Sequence, residues 1–378
     1  MKKTYLLILA AIALIGCSKH NPDNTLDPNA WISDESLPVP IMFGATGTEQ
    51  MTKAAFDGIS LPEGTQVGIL GLQHKPSDDD PDYEAWKATE AASKSVLVDN
   101  SKSALIDADG LIVFNEKKFY PTDNSQNFTF YGYYPFSSED GRVGNIQPGY
   151  NYFEIRYKLD GQTDILWAKA QAESFEYEGS YIEGFNGGYI RKAIKKGLSK
   201  DKYLPNLKFE HKLTYLDFKL EVLDESLEEL KALNLKVTGL TLQNVFTSAK
   251  LVIAKNDDNI EGNPSGTLYG VEPKSNISLT GVEQPIVMNS VGKQDFGNGM
   301  LVVPESEYKA QLEMTVDGRT TPLTADLSFS LGEGKTFEAG KKYNLIIVVR
   351  APKEIVIKTE LADWETTDDV TIDQINQD

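Results

Sequence analysis

Few side chains in this 378-residue chain are equipped for chemistry. It has one cysteine, Cys17, and three histidines, His20, His74 and His211, far apart and without ligand spacing around them. No nucleophile motif lies near any histidine, so a Ser/His/Asp arrangement has nothing to start from. His211, inside "KFEHKL", reads as a structural residue of a strand. The acidic runs "SDDDPD" (77–82) and "NDDNIEGN" (256–263) lack the twelve-residue calcium-loop pattern with its terminal glutamate and read as solvated loops. "GFNGG" (184–188) lacks the strand-to-helix context of a phosphate loop. With 56 acidic residues, chance proximity of two carboxylates says nothing about glycoside hydrolysis. The expectation is a protein without enzymatic activity, metal or cofactor.

Cys17 is the exception, because its surroundings define a reaction. Lys2 and Lys3 precede the apolar run "YLLILAAIALIG", which has the length of a signal-peptide core. That run is short for a membrane span, which takes about 20 apolar residues. It ends at Leu14, Ile15 and Gly16, directly before the thiol, in the register of a bacterial lipobox. Residues 1–16 are therefore expected to be a lipoprotein signal and Cys17 the acylated (palmitate-type) anchor to the outer membrane. One acyl chain binds a membrane only marginally, whereas several hold it firmly. With its only thiol so used, the chain has no disulfide and depends on a hydrophobic core. Loss of Lys2 and Lys3 moves the formal charge from −19 to −21, which disfavours nucleic acid and anionic headgroups as partners.

Residues 17–36 are polar, carry two prolines and have no period, and read as a tether. Beyond them the apolar residues recur at period 2 between Gly, Asn, Asp and Pro, the pattern of many short strands. Leu37, Val39, Ile41, Phe43 and Ala45 share one face of the first such run. Pro38 and Pro40 suit it to a sheet edge, because proline cannot donate to a ladder. In "YFEIRYKL", Phe153, Ile155 and Tyr157 oppose Tyr152, Glu154 and Arg156. In "LTYLDFKLEV", Leu216, Phe218, Leu220 and Val222 share a face. Helical spacing is confined to "DESLEELKAL" (224–233) and "EAWKATEAA" (84–92). No strand pattern persists through 175–206, which places a domain junction near residue 200. The expected organisation is all-β, with β-sandwich domains at 37–200 and 201–378 and small helical insertions.

Several of these segments, taken in order, resemble the fimbrillins, the Mfa-like and FimA-like pilus subunits of Bacteroidales-type bacteria. They are the lipobox at Cys17, "VPIMF" followed by "TKA", "FTFYGYYP" (128–135), "TDILWA" (163–168), "LKFEHKLTYLDFKL" (207–220), "FEAGKKYNLIIVV" (337–349) and "ELADW" (360–364). The resemblance implies two tandem transthyretin-like β-sandwiches and a lipid-anchored precursor that becomes a subunit of a cell-surface fimbrium supporting adhesion. It also implies removal of the first strand by a trypsin-like protease that cuts after a basic residue, usually arginine. The vacated groove would then take a strand from another subunit, which is β-strand addition used as a joint. The removable strand would carry Leu37, Val39, Ile41, Phe43 and Ala45. No arginine precedes Arg142, and Lys53 is the only basic residue between Lys19 and Lys75, so the candidate cut is Lys53–Ala54. Lys53 reads equally as one solvated lysine in a loop.

The C-terminal tail "ETTDDVTIDQINQD" is a poor donor strand, which leaves "EIVIKTEL" (354–361) as a donor or makes this subunit a weak one. Stalk, tip and non-polymerising anchor roles all fit. The rival expectation is a surface lipoprotein that captures glycan on aromatic platforms, with Trp86 in "DYEAWKA" as its contact. Expected partners are other fimbrial subunits, the outer membrane through Cys17, and a host or bacterial receptor or glycan.

Overall fold

The computed structural model describes residues 29–43, 61–74, 96–99, 104–108, 111–136, 142–143, 152–255, 263–350, 355–362 and 372–373. They are mostly strands, labelled here in chain order. The first sheet holds β1 (Gly68–His74), β2 (Val96–Val98), β5 (Asn127–Tyr134), β8 (Leu166–Ala170) and β11 (Glu210–His211), in the spatial order β11-β8-β5-β1-β2. The second holds β6 (Arg142–Val143), β7 (Tyr152–Lys158), β14 (Ser248–Lys255) and β15 (Leu268–Gly270), in the order β15-β14-β7-β6. Two hairpins, β3 (Ala104–Ile106) with β4 (Ile112–Phe114) and β9 (Phe175–Tyr177) with β10 (Ser180–Ile182), stand outside these sheets.

The first sheet is covered on both faces. Leu70, Leu72, Tyr131 and Tyr133 pack toward Phe153, Ile155, Leu251 and Ile253 of the second sheet. Ile69, Phe128, Phe130 and Ala168 point the other way, into a layer that includes Val39, Ile41 and Phe43 and the helices near residue 190. Double coverage explains why "NFTFYGYY" is apolar almost continuously, where a strand wet on one face would alternate. It also explains Gly68, since a Cβ there would lie 1.9 Å from the Tyr133 ring. Two of the three histidines are fixed in this sheet. His74 and Thr129, both buried, lie 2.7 Å apart through Nδ1 and Oγ1. His211 Nδ1 meets the buried carboxylate of Asp164 at 2.5 Å, tying β11 to the chain entering β8.

The second sandwich faces two further sheets against each other. One contains β12 (Thr214–Val222), β18 (Gly292–Asp295), β19 (Met300–Val302), β22 (Lys342–Val349), β23 (Ile355–Ala362) and β24 (Ile372–Asp373). The other contains β13 (Lys236–Phe246), β16 (Lys274–Ser278), β17 (Ile286–Val287), β20 (Glu307–Thr315) and β21 (Leu323–Ser330). Between them lie Leu216, Phe218, Leu220 and Val222, the face read from alternation, with Leu240, Leu312, Phe329 and Leu345. Phe337 joins the sheets through rings centred 4.9 Å from Tyr308 and 4.8 Å from Tyr343.

Among the described residues three α-helices interrupt the strands: α1 (Gly187–Lys196), α2 (Lys200–Tyr203) and α3 (Asp224–Leu233). The last occupies the residues with helical spacing, with Leu230 buried and Asn234 closing it in the left-handed region. The two sandwiches are not strictly serial. The hairpin β14–β15 follows residue 200 in sequence, yet β14 pairs with β7 from Ser248–Lys158 to Lys255–Tyr152. The chain therefore crosses back once into the first sandwich before β16 returns it to the second.

Candidate functional site

Residues 29–43 lie, together with helix α1, in the layer that covers one face of the first sheet. A 3-10 turn at Ala30–Ile32 is followed by Asp34, whose carboxylate accepts from the Ser36 amide at 2.9 Å and the Ser36 hydroxyl at 2.6 Å. Those two bonds, and then the charge of Arg191, hold the Asp34 carboxyl below the ordinary aspartate value. Beyond Leu37 the chain is extended and antiparallel to 118–120, with Pro40 opposite Phe119. Tyr120 N–H donates to Val39 O at 2.9 Å, and Ile41 N–H donates to Lys118 O at 2.8 Å. Only those two main-chain bonds join the segment to 118–120 among the described residues, and Pro38 and Pro40 have no amide hydrogen to offer on the segment's other side.

Side chains do most of the holding. Val39, Ile41 and Phe43 are buried. Phe43 packs its ring edge-on against Phe130 at 5.5 Å and tilted against Phe114 at 5.7 Å. Beside it runs a groove of about 960 Å³ lined by Trp31, Ile41, Phe43, Ile112, Phe114 and Leu204, among others. Leu37 departs from the alternation: it is 37 % exposed, because its carbonyl is drawn toward α1 and the inward-facing register begins at Val39. Ala45, Lys53 and Ala54 lie outside the described residues, as do Cys17 and Trp86.

Helix α1 is the seat. Asn186 caps it, its side chain accepting from Tyr189 N–H at 2.8 Å, and Gly197 ends it at φ +81°. Tyr189, Ile190 and Ala193 face the core, and burial pushes the Tyr189 phenol up to about 12, with Glu173 adding to the effect. Gly187 lets the helix approach Val39, since a Cβ there would sit 3.1 Å from Val39 Cγ2. Arg191, 4 % exposed, donates through Nε to Trp31 O at 2.8 Å, and through Nη2 to Leu37 O and, at 3.4 Å, to Asp34 O. Lys195 lies 3.6 Å from Glu35 across the exposed rim.

Trp167, in the "TDILWA" segment, is half-buried, donates its indole N–H to Ile253 O at 2.9 Å and lies under Lys212. That is a packing role at the contact of the first two sheets. Among the described residues no three His, Cys, Asp or Glu side chains are grouped to hold a metal, and no helix is long and apolar enough to cross a membrane.

The fold and this site define an all-β protein of sandwiches with an N-terminal segment seated in an apolar layer. Residues 192–364 match the model of the fimbrillin-like family, and over that stretch the chain is fimbrillin-like, in line with the resemblance read from its motifs. No curated protein matches. Among solved structures, the chain is similar to a protein from Bacteroides uniformis proposed to act in cell adhesion. Identity there is 16 %, covering 88 % of this chain and 100 % of that one, with a TM-score of 0.49. It is also similar to the fimbrial anchor protein Mfa2 of Porphyromonas gingivalis, at 13 % identity, 78 % and 88 % coverage and a TM-score of 0.34. The tip fimbrial protein Mfa3 of the same organism gives 10 %, 80 % and 95 % coverage, and 0.39.

Proposed function

We propose that the protein is a structural subunit of a cell-surface fimbrium, exported as a lipoprotein acylated on Cys17 and joined to its neighbours by strand exchange. The observation that carries this reading is how the segment at 39–43 is bound. Three buried side chains seat it, while only two main-chain bonds pair it with 118–120. Burying Val39, Ile41 and Phe43 contributes up to about 5–9 kcal/mol, an upper bound because the unfolded chain already buries some of that surface. That is comparable with the roughly 5–15 kcal/mol that holds a domain together. A subunit that lost these residues would carry an open apolar groove and strong reason to accept a replacement.

Cleavage at Lys53–Ala54 would disconnect the segment from the body of the protein. Brief trypsin treatment of the protein mixed with other fimbrial subunits should then produce heat-labile, higher-mass bands on unboiled gels. Treated protein that captures no subunit would contradict the reading.

One observation favours a terminal position in the fibre. The candidate donor strand β23 is paired with β22 along eight residues, from Lys342–Ala362 to Val349–Ile355, and β24 pairs with its outer edge. A subunit whose C-terminal strand is engaged in its own sheet accepts a strand without passing one on, as a tip subunit would. Adhesion to a receptor or glycan would follow from such a position. Trp86→Ala in a polysaccharide affinity gel tests the glycan alternative.

A further inference from the structure

Arg191 presents an unusual balance of charge. Its guanidinium is almost fully buried, and among the described residues no carboxylate lies within ion-pair distance of it. Its partners are three neutral carbonyl oxygens, of Trp31, Asp34 and Leu37, spaced by three residues. That spacing is the one at which a 3-10-like coil stacks its groups on one side. The turn at Ala30–Ile32, continued through Asp34 N–H to Ala30 O and Leu37 N–H to Asp34 O, produces it. A buried charge is costly unless its hydrogen bonds are made, so these oxygens and the guanidinium stabilise each other's positions.

The rest of the helix face agrees with this. Gly187, Arg191 and Lys195 recur every four residues, which puts them in one row along α1. Gly187 admits Val39, Arg191 gathers the carbonyls, and Lys195 faces Glu35. The row follows the segment from its turn to its first buried side chain. None of these contacts depends on the chain that follows Phe43.

We propose that the Gly187–Arg191–Lys195 row is a retention site whose ligand is a coil of main-chain carbonyls. A backbone cut anywhere beyond Phe43 leaves residues 29–43 seated until that site is vacated. The inference rests on the segment being separable, and it adds what controls the separation. Any chain that replaces the segment meets the same guanidinium and must bring carbonyl oxygens to it or leave a buried charge unpaired.

Hydrogen exchange on the intact protein tests the latch without any cut. In Arg191→Met, the Ile41 and Tyr120 amides should exchange at least tenfold faster, while amides of β12 in the second sandwich stay unchanged. Arg191→Lys, which keeps the charge but not the forked donors, should fall between. Unchanged Ile41 exchange in Arg191→Met overturns the proposal. A second arm follows release of the N-terminal peptide after brief trypsin treatment, by mass spectrometry of the gel-filtered protein. Slow loss from the wild type and fast loss from Arg191→Met are expected, and equal rates of loss overturn the latch. If even Val39→Asp sheds no peptide, the separable-strand reading fails instead, and the Ile41 exchange still decides what Arg191 does.

Discussion

The N-terminal segment and the C-terminal strand β23 are attached by different forces. Residues 29–43 are held by side chains in an apolar seat and by one guanidinium, with two main-chain bonds to 118–120. Strand β23 is held by a continuous antiparallel register of eight residues against β22. A ladder is lost and regained as a unit, so β23 belongs to the cooperative core of its sandwich. A segment held by pockets can be exchanged for another with similar side chains, because little of the backbone pattern is committed to it. This contrast supports reading the N-terminal end as the replaceable one.

The largest expected effect is at the C-terminal end. Truncation before Ile355 strips the ladder from β22 and should cost on the order of 5 kcal/mol, at about 0.5–1.5 kcal/mol per hydrogen bond. Denaturant unfolding should show the whole second sandwich weakened. Phe43→Ala should cost about 3–5 kcal/mol locally. If the contrast is sound, hydrogen exchange will place that loss in residues 39–43 and 118–120 and leave β12 and β22 untouched. Loss spread over both sandwiches would erase the distinction.

A smaller change has the opposite sign. The Tyr120 hydroxyl is buried with no hydrogen-bond partner among the described residues, and burial raises its pKa strongly. Tyr120→Phe removes an unpaid desolvation cost and should be neutral or stabilising by about 1 kcal/mol, read as a rise in melting temperature.

The smallest effect is on pH. The Asp34 carboxyl is held below its ordinary value of 3.8, so its contribution is complete above that value and is lost as pH falls through the lowered one. Exchange of the Ile41 amide, corrected for intrinsic rates, should rise slightly below pH 4, and Asp34→Asn should abolish the step. A step that persists in Asp34→Asn would assign it to another group.

Much of this was legible before any coordinates. The alternating face of Leu216, Phe218, Leu220 and Val222 is buried as read, and the leucines spaced by three at 227, 230 and 233 mark α3. His211 has the structural role expected of it, through Asp164. Helix α1 is not legible from its apolar spacing, although Asn186 at its start and Lys195-Lys196-Gly197 at its end are helix-boundary signals. Two glycines in its first turn lower helix propensity by about 1 kcal/mol each and hid the apolar period of Tyr189, Ile190 and Ala193. The role of Arg191 had no local signal at all, since its partners lie more than 150 residues upstream. Nor could alternation reveal that β14 joins the first sandwich, because strands of both sandwiches share the same period of two.

The central claim is that residues 37–43 are a strand the mature subunit gives up. The most direct test is the intact mass and N-terminal sequence of the protein sheared from cells in assembled fibres. The account predicts chains that begin at Ala54 and lack Val39, Ile41 and Phe43. Assembled chains that still run from a lipidated Cys17 through Phe43 would contradict it.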